Sequence, residues 1–415
     1  MFGDLPPCEF EPALLKAIAA KDGPLADDRA PVALLKENQA IPMGFAILAR
    51  FVEHDASYHA LTAENGRRGT MPRLALDCLY GNGPEAAPYF YDRSRLLMGT
   101  GHNPSADLAR TRIGTALIPD PRNDTDILLA QLHLAFVKFH NVVTDDMSAN
   151  GVAGDQLFAR AEGQVRWHYQ WLLLHEFLPM LIGDDRADRL RRQGPQYHYR
   201  DDEPRLPAEF AAATIRFHLS QVTDDLKPNA DTSCRPFAAR SGGVGPIDSG
   251  LRVDWRYFFE MPRSDRPQPS RRINAYLCDS VLGDDASDPV IDTLLLGNAC
   301  QLPSGQTVAK KIGATPLTNQ DLGLADPLGS VAATPLWLYV LKEAEVTQDG
   351  LRLGPVGASI IGDVVVDLIQ RDPASYLNVE PRWQPTYGVM GSFKLADLLV
   401  ASDYYTPPDL ATDRA

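Results

Sequence analysis

The sequence predicts a mainly α protein that folds as a single large helical domain with long loops. Several long segments carry helical patterns of apolar residues, strand patterns are few and short, and the 33 prolines concentrate in the connectors. No internal repeat, low-complexity linker or sharp change in composition divides the 415 residues. A domain of this length can enclose a buried pocket.

Five segments are predicted to form long helices. They span residues 126–146, 155–182, 206–221, 334–346 and 357–370. The first is apolar on almost every face, which is typical of a buried central helix. Pro207 suits a first helical turn, and the pair Gly354-Pro355 marks a turn between the last two helices.

The charge balance argues against two classes of partner. The chain has 40 Lys+Arg against 54 Asp+Glu, a net charge of −14. Nucleic acid or an anionic membrane surface would favour a basic face. The short basic run at 186–193 is interpreted as a solvated helix face. No stretch approaches 18 apolar residues, so we expect no membrane span.

Cysteine usage and the N-terminal composition favour a cytoplasmic protein. The five cysteines are scattered, odd in number and form no CxxC pair, which fits a reducing compartment. The first twenty residues lack a basic segment before an apolar run, so they do not resemble a secretory signal. The phosphate loop, the GxSxG elbow and HExxH are absent, and the glycine cluster at 241–245 is interpreted as a loop.

Two pairs of histidines share a helix face at a spacing of seven residues. They are His133 with His140 and His168 with His175. Because no carboxylate or cysteine ligands cluster around either pair, we expect helix contacts there and predict no metal site.

Three stretches point to chemistry more specifically than the histidine pairs do, and one of them is FAAATIRFHLSQV (210–222), which contains His218. In FVEHDASYH (51–59), His54 lies between Glu53 and Asp55, and Arg122 lies in a charged loop just before the predicted central helix. A histidine and an arginine that face one pocket can supply acid–base chemistry and anion stabilisation.

Several collinear segments give the chain a resemblance to a known family. They include IPMGFAILARFVEHD, LALDCLYGNGPEAAPYFYD, IPDPRNDTDILLAQLHLAFVKFHN and LPSGQTVA. Over residues 35 to 400 the chain resembles the bacterial branch of the animal haem peroxidases, in the cyclooxygenase/peroxidase superfamily. The resemblance implies a helical domain with a buried central pocket, which holds haem in the family. We therefore expect an N-terminal extension (1–34), a peroxidase-like domain (35–402) and a C-terminal tail (403–415).

The resemblance assigns roles on the distal side of that pocket. His54 matches the acid–base histidine, and Arg122 matches the arginine that polarises the O–O bond of peroxide. Arg50 replaces the family's glutamine four residues before the histidine. Glu53 replaces the aspartate immediately before it and keeps the carboxylate.

Other family positions are altered. The glutamate three residues after the arginine is Thr125 here, and Asp126 follows it. Asp55 matches a calcium ligand, but the first aspartate of the family's L-D-x-D loop is Ala75, so only Asp77 remains. Since calcium takes six to eight oxygen ligands, the altered loop would serve it poorly.

The proximal side departs further from the family. The pattern R-F-G-H-S-M-V, whose histidine binds the haem iron, is R-F-H-L-S-Q-V here (216–222). Leu219 takes the ligand position and His218 the glycine position, a difference of about 100° and about 1.5 Å on an α-helix. Thr293 and Leu296 replace the asparagine that binds the ligand histidine and the arginine that pairs with a haem propionate. Arg216, His218 and Glu53 are the candidate cofactor-binding residues.

Three structural alternatives stay open. His218 either ligates haem through a shifted helix or merely replaces the glycine. His54 either acts in the pocket or is a buried histidine inherited with the fold. Arg122 either faces the pocket or pairs with Asp120 or Asp124.

Three functions follow from these alternatives. The first is an enzyme with a repurposed pocket, in which His54, Arg122 and Arg50 act on an apolar small molecule. Its chemistry would be haem-free acid–base chemistry, such as a cyclisation or isomerisation in natural-product biosynthesis. The second is a haem-dependent peroxidase or oxygenase with His218 as the iron ligand. The third is a non-catalytic pseudoperoxidase. Haem and calcium are the cofactors to test, and no oligomeric state is predicted.

Overall fold

Helices dominate the part of the chain that the structure describes, and short strands occur only as two pairs there. The structure is a computed structural model that describes residues 1–26, 37–62, 71–99, 107–197, 205–234, 245–247, 249–282, 288–324 and 333–402. The first elements are α1 (Pro12–Ala19), β1 (Glu37–Pro42), α2 (Gly44–Thr62), α3 (Asp77–Tyr80), α4 (Gly83–Ala86), β2 (Tyr91–Asp92) and β3 (Arg95–Leu96).

The middle and last parts of the chain supply most of the core helices. The middle elements are α5 (Ile127–Ala149), α6 (Asp155–Leu172), α7 (Leu178–Ile182), α8 (Asp184–Gln193) and α9 (Ala208–Ala211). The last are β4 (Pro269–Arg271), α10 (Pro289–Ala299), α11 (Gly305–Lys311), α12 (Leu336–Gln348), α13 (Pro355–Arg371), α14 (Tyr376–Val379) and α15 (Leu395–Ala401). β1 pairs antiparallel with β4, and β2 with β3.

Helix α5 is the buried central helix that its apolar pattern predicts. It begins after Asp126, whose carboxylate accepts the Leu129 N–H at 2.9 Å and so caps the first turn. From Leu128 to Thr144 every side chain except Val142 is buried. The helix is long and apolar enough to cross a membrane by length and composition, but 89% of its apolar window is buried inside the protein.

Helices α12 and α13 confirm the two predicted C-terminal helices. The basic run at 186–193 lies in α8, which buries Ala187 and Leu190. Residues 1–26 pack on the domain, because α1 contacts α10 and buries Leu15 and Ile18 completely. The expected tail 403–415 and most of the glycine cluster 241–245 lie outside the described residues.

The predicted helix 155–182 is present with one interruption. Residues Leu173–Phe177 form a π-helix between α6 and α7, in which the Leu178 N–H bonds to the Leu173 carbonyl. Pro179, two residues after this turn, has no N–H to offer. The helix continues in α7, so the predicted extent is correct.

The prediction of an α-helix over 206–221 is wrong. Only α9 is α-helical; the chain breaks at Ala213 (φ −136°, ψ −72°) and continues as a 3₁₀-helix, Thr214–Gln221. Side chains bind the carbonyls at the end of α9: the Thr214 hydroxyl donates to Glu209 and the Arg216 guanidinium to Ala211. These side-chain bonds compete with the backbone bonds that an α-helix would need.

Candidate active site

Helix α2 carries the candidate residues on three faces. Arg50, His54 and Ser57 are spaced as i, i+4 and i+7, so they share the face towards segment 120–126. Glu53 points to the 3₁₀-helix 214–221. Asp55 and His59, four residues apart, contact segment 75–78. Helix α2 therefore connects the distal and proximal candidates directly.

Gly44 lets α2 begin against segment 258–259. A Cβ at this position would lie 2.5 Å from the Phe258 carbonyl oxygen and 2.3 Å from the Phe259 ring. Because these approaches are too close for any Cβ, glycine is required here, and it fixes where α2 starts relative to its neighbours.

His54 is held by a hydrogen-bonded chain of two further side chains. Its Nδ1 lies 2.8 Å from the Asn123 amide oxygen, and the Asn123 amide nitrogen lies 3.1 Å from His133 Nδ1. An amide oxygen only accepts and an amide N–H₂ only donates. His54 therefore carries its proton on Nδ1, and Nε2 is left as the acceptor of the neutral ring.

The surroundings of His54 oppose its protonation. Burial lowers the pKa of His54 well below its usual range, and the positive charges of Arg122 and Arg50 lower it further. Glu53 acts in the opposite direction but does not outweigh them. Burial likewise lowers the pKa of His133 to about 3. At neutral pH His54 is a neutral imidazole that can accept a proton at Nε2.

Arg122 is paired with Asp120, one of the two partners considered from the sequence. Its guanidinium donates to the Asp120 carboxylate at 2.7 and 3.0 Å, to Ser57 at 2.9 Å and to the backbone carbonyl of His54 at 2.8 Å. Asp124 pairs instead with Arg110 at 2.8 Å. Arg122 thus fixes the backbone that carries His54, and its charge is matched by a buried carboxylate.

Arg50 joins two positions at which the chain departs from the family pattern. Its guanidinium donates to Asp126 at 2.5 Å and to the Thr125 hydroxyl at 3.0 Å. Arg50 replaces the family's glutamine, and Thr125 replaces the family's glutamate. The two replacements are therefore in contact, and Asp126 supplies the carboxylate one residue later while also capping α5.

On the proximal side, the three candidate cofactor-binding residues contact one another. His218 Nε2 donates to Glu53 at 2.9 Å, and Arg216 lies 3.3 Å from the same carboxylate. Arg216 also donates to the Thr293 hydroxyl at 3.1 Å. Burial opposes ionisation, but the His218 hydrogen bond and the Arg216 charge hold the pKa of Glu53 well below its usual range. Glu53 is an anion at neutral pH.

This arrangement does not fit a haem group. Leu219, which the resemblance places at the ligand position, is an apolar buried side chain and cannot bind iron. His218 has turned towards α2, and its Nε2 is bonded to Glu53. The helix that carries His54 and the segment at the proximal position are thereby in direct contact.

The altered calcium loop is held by protein groups. The Asp55 carboxylate accepts the backbone N–H of Leu76 at 3.0 Å and of Cys78 at 3.3 Å. Burial and the nearby Asp77 charge raise the pKa of Asp55 to about 6. Within the described ranges, no three His, Cys, Asp or Glu side chains are grouped as a metal site. The donors do not fit calcium.

Asp77, the second carboxylate of this loop, is surrounded by cationic groups. His59 donates to it at 2.6 Å, Arg73 at 2.6 and 2.8 Å, and Arg166 at 3.1 Å. Burial raises the pKa of Asp77, but these partners outweigh burial and hold the pKa well below its usual range. Protein cations thus neutralise the carboxylate that remains from the family's loop.

The histidine pairs form local contacts. His140 binds the Tyr80 hydroxyl at 3.0 Å and the Ser94 carbonyl at 2.9 Å, and His168 binds the Gln164 carbonyl at 2.7 Å. His175 stacks on Trp171 with ring centroids 3.9 Å apart. His133 belongs to the His54 chain. Asn123 and this role of His133 were missed from the sequence, where only the position of Asn123 beside Arg122 points to them.

A comparison with protein families supports the resemblance over part of the chain. The family model described as animal haem peroxidase matches residues 90–239. No curated protein matches the chain.

Solved structures extend the likeness over nearly the whole chain. Peroxidase A from Dictyostelium discoideum superposes with a TM-score of 0.67 at 13% identity, over 97% of this chain and 91% of that one. A fatty acid alpha-dioxygenase from Arabidopsis thaliana gives 0.63 at 12% identity, over 98% and 77%. The Oryza sativa fatty acid alpha-dioxygenase with palmitic acid gives 0.61 at 14% identity, over 95% and 78%. The chain has the mainly α fold of the animal haem peroxidases, and the resemblance read from its sequence is confirmed.

Proposed function

We propose that this chain is a peroxidase-fold enzyme in which His54 acts as a general base, without haem and outside the peroxide cycle. The observation that carries the proposal is the Asn123 hydrogen bond, which keeps the proton of a neutral His54 on Nδ1. A neutral imidazole with its acceptor nitrogen free to react is suited to removing a proton from carbon or oxygen.

The reaction class we propose is an isomerisation or cyclisation. Nε2 of His54 takes a proton from a carbon next to a carbonyl group, and the electron pair of the broken C–H bond moves into the carbonyl. The imidazolium then returns the proton at another position. Atoms and electrons balance without an oxidant, so this chemistry needs no iron.

Arg122 and Arg50 support this reaction through charge and position. Each lies beside His54 and favours an anion there, although each already pairs with an aspartate. The Glu53–His218 bond supports the haem-free reading, because ligation of iron through His218 Nε2 would require this bond to break. A non-catalytic pseudoperoxidase would not need the hydrogen bonds that link His54, Asn123 and His133.

The proposed substrate is an apolar small molecule. The fatty acid alpha-dioxygenases that share the fold act on fatty acids by name, and one was solved with palmitic acid. We also propose a role in natural-product biosynthesis in the cytoplasm, which fits the five free cysteines.

Deuterium exchange tests the proposal. Purified protein, checked for iron, would be incubated in D₂O with a panel of apolar β,γ-unsaturated ketones, and deuterium uptake would be followed by mass spectrometry. We expect uptake without iron and a loss of at least about a hundredfold in His54→Gln, the low end of a general base's contribution. Unchanged uptake in His54→Gln, or uptake only after addition of haemin, would contradict the proposal.

A further inference from the structure

A cavity lies beside the π-helix Leu173–Phe177, and the chemistry around His54 does not use it. It has a volume of about 370 Å³, which falls in the range of small-molecule sites. His175 and Glu176, both on the π-helix, line it. π-turns inside helices are frequent at functional sites, because the wider turn moves side chains out of the regular helical positions.

The cavity carries both signs of charge. Carboxyl groups come from Glu176, Asp184 and Glu260, and cations from Arg352 and Lys394. Among the described residues, none of these five side chains forms an ion pair within 4 Å, so their charges are available to a ligand. Glu176 is the deepest carboxyl, and one of its oxygens accepts the Leu395 N–H at 2.8 Å.

The raised pKa of Glu176 indicates that too little positive charge lies beside its carboxyl group. Burial raises its pKa to about 7, while the Leu395 hydrogen bond and the Lys394 charge only partly offset this effect. An ammonium group placed beside Glu176 would supply the missing positive charge and favour the carboxylate.

The remaining wall is apolar and aromatic. Phe45 and Phe259 form an edge-to-face pair with ring centroids 5.5 Å apart, and Met180 also lines the cavity. Such a wall accepts a hydrocarbon or aromatic body and adds cation–π attraction for an ammonium group. Phe45 lies nine residues before His54 on α2, about 13 Å along the helix axis. The cavity is therefore separate from the His54 site.

We propose that this cavity binds a small zwitterion with an apolar body, such as an amino acid with a large apolar side chain. Its ammonium group would pair with Glu176 and its carboxylate with Lys394 and Arg352, while the body would pack on Phe45 and Phe259. A ligand with one charge would leave the opposite set unmatched, so both charges are needed for full affinity.

Calorimetry with three matched probes tests the inference. The probes are L-phenylalanine, phenethylamine, which keeps only the ammonium, and 3-phenylpropanoate, which keeps only the carboxylate. We expect phenylalanine to bind at least about tenfold more tightly than either, since each charge-assisted contact contributes about 1.5 kcal/mol or more. Absence of phenylalanine binding, or equal binding of all three, would overturn the inference.

Two variants test which side chain of the cavity pairs with the ammonium group of the ligand and which with its carboxylate. Glu176→Gln keeps an oxygen to accept the Leu395 N–H and should weaken phenylalanine, but not 3-phenylpropanoate, by about tenfold. Lys394→Met should weaken the binding of phenylalanine and 3-phenylpropanoate, but not that of phenethylamine. Lys310→Met, an exposed lysine on α11 away from the cavity, is the matched control and should bind all probes as the parent does. Binding that neither cavity variant changes would overturn the inference.

Discussion

His218 donates its Nε2–H to the Glu53 carboxylate at 2.9 Å and so joins the 3₁₀-helix 214–221 to helix α2. Both residues stand at family positions near the cofactor, and here they bind each other. Two positions at which the sequence departs from the family pattern are therefore in direct contact.

This contact predicts energetic coupling. Glu53→Gln and His218→Gln should each destabilise the protein, and together they should do so by less than the sum, with a coupling of about 1–3 kcal/mol. Urea denaturation of the parent, the single variants and the double variant measures it. The pair Glu53→Gln with His175→Gln, whose residues do not contact, is the control. Additive effects in the first pair would contradict the bond.

The hydrogen bond between Asn123 and His54 predicts how a charge at position 123 changes the pKa of His54. Asn123→Asp places a carboxylate beside Nδ1, and a nearby negative charge favours the protonated ring, so the pKa of His54 should rise. NMR titration of the imidazole signals measures the change. Asn150→Asp, an equal charge change at the exposed end of α5, should leave His54 unaffected. An unchanged His54 pKa in Asn123→Asp would show that the two side chains are not in contact.

The double role of Asp126 predicts an order of stabilities. Asp126→Asn keeps an oxygen to cap α5 and loses only the ion pair with Arg50, whereas Asp126→Ala loses both. Because an N-cap contributes about 1 kcal/mol, the alanine variant should be less stable than the asparagine variant by about that amount. In the Asp126→Asn variant, the further change Arg50→Gln should then lower the free energy of unfolding only a little. Denaturation midpoints measured by circular dichroism check this order.

Glu343 predicts a pH-dependent stability. Burial raises its pKa from 4.5 to about 7, although the hydrogen bonds that it accepts from the Val356 and Gly357 N–H groups lower the pKa. A raised folded pKa gives stability that is complete below the unfolded pKa and is lost as pH rises through the folded pKa. At about 1.4 kcal/mol per pKa unit, Glu343→Gln should gain up to about 3 kcal/mol on the parent between pH 4 and pH 8.

Urea denaturation at several pH values measures this gain. The glutamine keeps an oxygen to accept the Val356 N–H, so the cap at the start of α13 is preserved in the variant. Parallel stability curves for parent and variant would show that Glu343 is ionised normally in the folded protein.

The sequence predicts the long helices well and the site only in part. Helix α5 is apolar on almost every face, and such a pattern allows little except a buried helix. The segment 206–221 has an equally helical composition, yet the Thr214 and Arg216 side chains bind the carbonyls of α9 and the chain continues as a 3₁₀-helix. This outcome depends on contacts between side chain and backbone that periodicity does not contain.

The site shows the same limit. The motif positions of His54 and Arg122 can be read from the sequence, because the resemblance fixes their places in the chain. Their partners can be read only in part. The sequence offers Asp120 and Asp124 as alternatives for Arg122, and only the folded chain shows that Asp120 is the partner. The sequence does not identify Asn123 as the residue that orients His54. The π-helix that contains Glu176 also carries no periodic signal.

The central claim, that the former iron site is closed, is tested most directly by an absorption spectrum. Protein expressed with added haem precursor would be scanned from about 300 to 700 nm, with metal analysis of the same sample and a titration with haemin. Closure of the site by Glu53 and His218 predicts no Soret band, no stoichiometric iron and no band on titration. A strong Soret band with near-stoichiometric iron, lost in His218→Ala, would contradict the claim and restore His218 as a haem ligand.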